Sequence, residues 1–478
     1  MSFWSSSNLE TVTAGRWLHP ATGTSVWCGV SIDSRAVQKG QVFVALSGER
    51  FNGHDFLDDA AGAGAACLIV DEAVDRTTFP APTLLVQNTV DALNRLAAAY
   101  RDDLAAAGTL VISVSGSNGK TTTRHLIHSV LCARHRGTQS PRSFNNRIGV
   151  PLTLLAASTE DDFVVVEIGT NHPGEVADLA AVVRPDAAVV TSIGQEHLEF
   201  FETLEAVAEE EASVLGYVAR NGLAVIPASG PGTGWLQDAA PGEGSVVRVG
   251  RDIRCAQVSP HRVDAPTRVA LEDGLAFDLP LPGEHNVQNA LAAVAVGRWM
   301  KVDERSIAAA LGRVSGLPMR TQVVRYGSGP DGVTVINDAY NANPDSVQAA
   351  IELLNSELSA RDDGGCAVIL GDMLELGDAG PPAHDAVAGV LARLGSRLRT
   401  VVLVGPLSVG AADELRRRCP RIEVQTCAKW SDELPARVAA LLRPGDLVLI
   451  KGSRGIGLER LVPCIEERFG GAICSVAK

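Results

Sequence analysis

No two of the nine cysteines in this 478-residue chain are spaced as CxxC. Cys28, Cys67, Cys132, Cys255, Cys366, Cys419, Cys427, Cys464 and Cys474 are scattered and odd in number, which argues against a disulfide framework or a zinc site and suits a reducing compartment. No uncharged apolar stretch approaches membrane-spanning length without a Gly or Ser break, so no membrane span is expected. The start, Met1 to Asn8, has no basic stretch followed by an apolar run, so no signal peptide is read and the cytoplasm is the expected location. No run of Lys or Arg would locally reverse the chain's acidic field either. With a formal net charge of −14, the chain repels polyphosphate backbones, and nucleic acid is not an expected partner. Internal repeats and low-complexity segments are also missing.

What remains is ordinary globular composition, with 46% hydrophobic and 21% charged residues. Short β-rich runs at 109–114, 163–168, 187–193, 333–337, 366–370, 400–404 and 447–450 alternate with Ala- and Leu-rich helical stretches. Near-continuous apolar strands separated by helical lengths predict an α/β protein with mostly parallel sheets, covered on both faces. A helical stretch ends near 103–108, and Ser-Gly-Leu-Pro breaks another near 315–319. Three domains are expected: 1–106, 107–316 and 317–478.

The run from Leu110 reads as a buried strand that enters Gly116-Ser117-Asn118-Gly119-Lys120-Thr121-Thr122, followed by a helical pattern with Leu126, Ile127, Val130 and Leu131 on one face. Strand, glycine-rich turn and helix make a phosphate loop. Glycines let backbone N–H groups face an anion, and the helix N-terminus adds its positive end. Lys120 would reach the β- and γ-phosphates of ATP, and the Thr121 hydroxyl would meet Mg²⁺. The loop is shortened, since Val114 stands where a first glycine is usual.

Two further strands end in polar residues suited to that site. Glu167 closes the run that begins at Phe163, and His197 follows the run that begins at Ala187. The carboxyl ends of parallel strands are where open α/β sheets bind ligands, and a carboxylate there can hold magnesium against phosphates.

Several separated motifs then resemble one family, the Mur ligases of peptidoglycan synthesis. These are Ser143-Phe-Asn145-Asn146-Arg-Ile-Gly-Val-Pro151, the stretch from Glu167 to Glu175, Gly283-Glu-His-Asn286-Val-Gln-Asn289-Ala290, Asn337-Asp338-Ala-Tyr340-Asn341-Ala-Asn-Pro-Asp-Ser346, the stretch from Leu370 to Gly377, and Lys451-Gly-Ser-Arg-Gly455. The resemblance is to the branch that adds D-alanyl-D-alanine to UDP-N-acetylmuramoyl-tripeptide. It implies a small N-terminal α/β domain for the UDP-sugar and a central phosphate-loop domain for ATP. A C-terminal Rossmann-like domain would contribute to nucleotide and dipeptide binding, in a monomer.

Residue by residue, the resemblance implies that Lys120, Glu167, His197 and Arg320 are catalytic. Thr121, Glu167, His197 and Glu211 would serve metal. The nucleotide would meet residues Gly116 to Thr122, with Asn286 and Asn289 at the adenine and Arg320, Asp338, Tyr340 and Asn341 reaching in from the third domain. The UDP-peptide would meet Ser34, Arg35, Asn52, Gly53, His54, Asn145 and Asn146. Blander roles suit some of these residues too. Asp33 to Arg35 can be a turn ion pair, Asn286 and Asn289 a helix cap, the Asn341–Pro344 stretch a plain turn, and Lys451 to Gly455 a loop of solvated charges.

One departure stands out against the resemblance. Many Mur ligases carry a CO₂-carbamylated lysine on the helix after the histidine, and here that stretch reads Ala206-Val-Ala-Glu-Glu-Glu-Ala-Ser. Glu211 takes the lysine's place, with Glu210 as the alternative and a solvated acidic helix face as the bland reading. Two other readings are a third-residue-adding ligase, whose Asp-Asn-Pro-Arg-like motif is missing, and a catalytically silent Mur-like binding protein.

Overall fold

The computed structural model describes residues 3–20, 27–48, 51–72, 81–361 and 364–473. Met1, Ser2 and Cys474, used in the sequence reading, lie outside the described residues. The eight described cysteines are all free.

The chain builds three main sheets in succession. The first has five strands in the order Arg16–His19, Thr83–Leu85, Cys67–Val70, Val42–Val44 and Val30–Ser31, parallel except for the antiparallel edge strand Arg16–His19. The second has six strands, all parallel, in the order Ser245–Val249, Leu223–Pro227, Ala187–Val190, Leu110–Ser115, Phe163–Glu167 and Gly137–Gln139. A small antiparallel sheet, Cys255–Val258, Thr267–Leu271 and Ala276–Leu279, follows it. The third main sheet has seven strands, of which only Gln322–Tyr326 runs against the others, pairing antiparallel with Val333–Asp338 and with the edge strand Ala472–Ile473.

All seven strands expected from apolar runs are present. The one expected at 187–193 stops at Val190, because the next residues turn onto the glycine loop. Thr191 Oγ donates to the Asn118 carbonyl at 2.6 Å. Strands such as Ser245–Val249 and Gln322–Tyr326 were not legible as apolar runs. They lie at or near sheet edges, and most of their residues are half-exposed.

The helix Thr89–Ala107 explains how the first sheet is fastened to the second. Asn88 caps it by accepting from the Asp91 amide at 2.9 Å, and Gly108, at φ 88°, ends it in the left-handed conformation that glycine adopts without strain. Its buried face (Leu93, Leu96, Ala97, Leu104) belongs to one apolar cluster with Val42 and Ile69 of the first sheet and Val164 and Val166 of the second. Each such leucine contributes about 1.5–3 kcal/mol on burial. The opposite face of the second sheet packs against helices Lys120–Leu131 and Glu284–Trp299, through Leu126, Ile127, Val130 and Leu291.

Within the second sheet, Leu110–Ser115 lies between the two later strands Ala187–Val190 and Phe163–Glu167. The connections therefore diverge to either side of it, and the crevice opens beyond its carboxyl end. The glycine loop leaves from that end.

Candidate active site

The loop's geometry demands its glycines. Gly116 has φ 113°, and a Cβ there would lie 2.4 Å from Thr191 Oγ; at Gly119, φ 85°, it would lie 2.6 Å from Asn289 Oδ1. Helix Lys120–Leu131 then begins with no side-chain cap, leaving its positive end for an anion.

Lys120 folds back onto its own loop. Its ammonium donates to the carbonyls of Gly116 and Ser117 and lies 3.5 Å from Glu196 Oε2. Burial pushes that ammonium's pKa down, but Glu196, Glu211 and Glu167 together outweigh burial and hold it above the usual lysine value. Glu167, at the end of its strand, accepts from Thr121 Oγ and from Asn145 Nδ2, both at 3.1 Å, and its second oxygen is 3.7 Å from Arg124 Nε.

The two open alternatives on the acidic helix Leu204–Ala212 separate cleanly. Glu210 faces away from the loop and accepts from the amides of Gly174 (2.7 Å) and Val176 (2.8 Å), capping helix Glu175–Val183. Glu211 is 0% exposed and accepts from the Gly116 amide at 2.7 Å. Burial pushes its carboxyl up to about 8, Lys120 opposing and Glu196 reinforcing the shift. The solvated-face reading fails for both residues and fits only Glu209.

His197 sits in the left-handed region (φ 50°), its Nε2 3.9 Å from Glu196 Oε2 and its Nδ1 2.7 Å from Glu375 Oε2 of the third sheet's side. That contact with His197 holds the Glu375 carboxyl below the usual carboxylate range. Of the expected metal residues, Thr121 donates to Glu167, while Glu211 accepts from the Gly116 amide and His197 lies against Glu375. Among the described residues the only three His, Cys, Asp or Glu with ligand atoms within 4.8 Å of one another are His54, Asp71 and Glu72, in the first domain.

Beside the loop opens a cavity of about 590 Å³, lined from one side by Asn118, Gly119, Thr122, Asn286 and Asn289 and from the other by Arg320, Asp338, Tyr340, Asn341 and Lys451. Asn286 is not a helix cap, since Gly283 holds that position; it donates to the Pro282 carbonyl and accepts from Asn289. Asn343 does cap helix Pro344–Ser359, as a turn residue should, but its amide also reaches Asn118 Oδ1 of the loop at 3.0 Å. Arg320 stacks on Tyr340, its guanidinium 4.0 Å from the ring centroid, and both reach Ser143 Oγ on the central side, at 3.3 and 2.7 Å.

The first-domain residues are quieter. Arg35, 87% exposed, is held by Asp33 through two hydrogen bonds, which is the turn ion pair, beside Ser34 on one short 3₁₀ turn. Asn52 accepts from the His54 amide, and the His54 ring is held between Asn52 and Asp71. Gly53 allows close passage over Leu46, whose amide nitrogen a Cβ would approach to 2.7 Å. Asn146 spends its carbonyl oxygen on the Ile148 and Gly149 amides at a helix start.

Sequence reasoning gave three residues here no role in the site. Glu196 is buried beside Lys120, and its only signal was adjacency to His197. Arg124 is buried one turn after Lys120 and donates to the Ser140 and Arg142 carbonyls. Lys451 is 2% exposed and pairs with Asp338 at 2.6 Å, so the solvated-loop reading fails for it, although it holds for exposed Arg454.

Comparison with known proteins agrees along the chain. Residues 28–101 match the Mur ligase family catalytic domain, 114–297 the Mur ligase middle domain, and 319–454 the Mur ligase glutamate ligase domain. A UDP-N-acetylmuramoyl-tripeptide–D-alanyl-D-alanine ligase of Bacillus subtilis is 34% identical, over 96% of this chain and 98% of the relative. The chain belongs to the Mur ligase family. Another relative with the same description, from Escherichia coli, is 30% identical over 92% of this chain and 93% of its own length. Among solved Mur ligases, MurF of Acinetobacter baumannii superposes with a TM-score of 0.84 at 28% identity, covering 97% of this chain and 99% of the other. MurF of Thermotoga maritima in complex with ADP gives 0.76 at 26% identity, covering 94% and 99%. The three-domain α/β fold is that of a Mur ligase, and the chain is an enzyme of the ligase class. Among the described residues no helix is long and apolar enough to cross a membrane.

Proposed function

We infer that this Mur ligase joins D-alanyl-D-alanine to UDP-N-acetylmuramoyl-tripeptide at the expense of ATP, in peptidoglycan precursor synthesis. The observation that carries the reading is the phosphate loop. It brings a helix N-terminus, through Asn118, Gly119 and Thr122, to a cavity lined on its far side by Arg320 and Asp338, in a chain whose full-length relatives bear that activity's name. The third-residue-adding and silent alternatives have no comparable support.

The reaction follows from the charges. A terminal carboxylate oxygen of the tripeptide attacks the γ-phosphorus of ATP, and the bond to the ADP oxygen breaks, giving an acyl phosphate. The amine nitrogen of the dipeptide then attacks the acyl carbon, a tetrahedral intermediate forms, and inorganic phosphate leaves as the nitrogen loses its proton. Two anions meet in the first step, so the main work is to neutralise charge and hold geometry. Lys120 swings from its own loop carbonyls to the β- and γ-phosphates, and Arg320 meets the transferring group from the other side. Asn286, Asn289, Tyr340 and Asn341 line the nucleotide's cavity. Closing the domains brings both halves together and excludes water.

The residues fit Mg²⁺. Glu167, Glu196 and Glu211 each keep a buried carboxylate oxygen without a hydrogen-bond partner around Lys120, and oxygen donors are what a hard divalent cation takes. Thr121 and Glu167 would hold one ion and His197 with Glu211 a second, each supplying positive charge to the phosphates. Glu211 brings its own carboxylate, so turnover in CO₂-stripped buffer should not rise when bicarbonate is added. A bicarbonate-dependent rate would remove Glu211 from this role.

Ser34, Arg35, Asn52, Gly53, His54, Asn145 and Asn146 belong to the UDP-peptide side in this reading. The domain limits are 1–106, 107–316 and 317–478, and the enzyme acts as a cytoplasmic monomer. Phosphate release from ATP that requires both the UDP-tripeptide and D-alanyl-D-alanine tests the assignment; release with neither, or with a single amino acid as acceptor, overturns it.

A further inference from the structure

Arg320 lies on the connection between helix Glu304–Leu311 and strand Gln322–Tyr326, outside regular structure, yet it must be aimed across the cleft. The backbone around it is forced. Met319 has φ 59° and Thr321 φ 49°, two non-glycine residues in the left-handed region on either side of the arginine. For a β-branched threonine that conformation is a steric outlier, and it persists only where surrounding bonds impose it.

Those bonds are identifiable. The Thr321 amide donates to Asp338 Oδ1 at 2.8 Å, the Tyr340 amide donates to the Met319 carbonyl at 3.1 Å, and the Met319 amide donates to Gln322 Oε1 at 3.1 Å. Asp338 is in turn aimed by Lys451, whose ammonium donates to Asp338 Oδ2 at 2.6 Å and to the Asn341 carbonyl at 3.0 Å. Asp338 and Lys451 are register partners at the ends of adjacent parallel strands, so the sheet itself sets their approach.

We propose that Lys451 is a positioning residue for Arg320, acting through the Asp338 carboxylate and the left-handed Thr321. Without the ammonium, the carboxylate can turn into the open cavity beside it, and the Thr321 amide loses its acceptor. The threonine then relaxes to negative φ. A backbone rotation of that size just after Arg320 swings the guanidinium away from Tyr340 and Ser143. This deepens the functional reading above and rests on its placement of Arg320 at the phosphates.

The test is a cycle of Lys451→Met and Thr321→Gly in the full chain, since glycine adopts positive φ without strain and no longer needs the clamp. Lys451→Met should lower kcat/KM for ATP by about 30-fold, through kcat more than KM. Adding Thr321→Gly should recover at least about fivefold more activity in that background than the same change produces in the unmodified chain. A second readout needs no ATP chemistry: trypsin cleavage after Arg320 in the nucleotide-free chain should speed up at least about fivefold with Lys451→Met, as a locally opened bond does. Lys451→Leu, which also removes the donor, carries the same comparisons where the methionine chain does not fold, and Lys451→Gln, which keeps an N–H donor, should show smaller losses of both kinds. Independent effects of the two substitutions on turnover, or unchanged cleavage after Arg320, would overturn the proposal. Failure of the ligase reading would show instead as absent turnover in the unmodified chain, with the cleavage comparison still deciding the clamp.

Discussion

The two sides of the cleft around the phosphate loop are built on opposite electrostatic plans. On the central side, Lys120 is folded onto its own loop, and Glu167, Glu196 and Glu211 each keep a buried oxygen without a hydrogen bond. On the C-terminal side, Asp338 has both oxygens occupied, by Lys451 and the Thr321 amide, and Asn343 is committed to a helix cap and to Asn118. One side keeps buried polar groups unsatisfied. The other is already satisfied and serves as a template. Chemistry and stability should therefore respond differently to substitution on the two sides.

The sharpest test of that contrast is Lys120→Ala, which should cost about 10³-fold in kcat, or about 4 kcal/mol of transition-state stabilisation, in a phosphate-release assay. Retained turnover would show that the central side is not the catalytic one. On the opposite side, Asp338→Ala should lower unfolding stability by about 3 kcal/mol in urea titration, because it strands a buried ammonium. A loss as small as a surface substitution gives would show that Lys451 finds another partner.

Glu211 gives the contrast a pH signature. Its folded-state carboxyl is raised to about 8 from an ordinary value of 4.5. Between those values the folded chain holds a proton that the unfolded chain has lost, so stability should fall as pH rises through that window. Thermal midpoints of the nucleotide-free chain should drop from pH 5 to pH 8, and Glu211→Gln should flatten the slope. An unchanged slope would mean that Lys120 alone balances the site.

Smaller effects follow. Asn343→Ala should cost about 1 kcal/mol through loss of the helix cap, read in urea. Arg35→Ala should leave the thermal midpoint unchanged, since its ion pair is exposed; any effect should appear as a raised KM for the UDP-peptide. No change in that KM would leave Arg35 as the turn residue its Asp33 pairing makes it.

Legibility followed the same division. The loop from Gly116 to Thr122 could be read because backbone conformation demands glycine at two of its positions, and because strand, turn and helix are local patterns. Glu167 and His197 could be read because they end apolar runs. Glu196, Arg124 and Lys451 could not, since nothing in a sequence marks a charged residue as buried until its partner is known. Glu210 and Glu211 are neighbours of one chemical type, yet one caps a helix and the other faces the loop.

From sequence alone came the α/β class, the phosphate loop, the strands that carry Glu167 and His197, and the family resemblance. These rest on local periodicity and on backbone rules that act within a few residues. Only the tertiary structure decided which acid meets Lys120, that Lys451 is buried against Asp338, and that Arg320 is aimed through a strained threonine. Partners brought from far apart in the chain set burial, and burial is what turns an ordinary charge into a functional one.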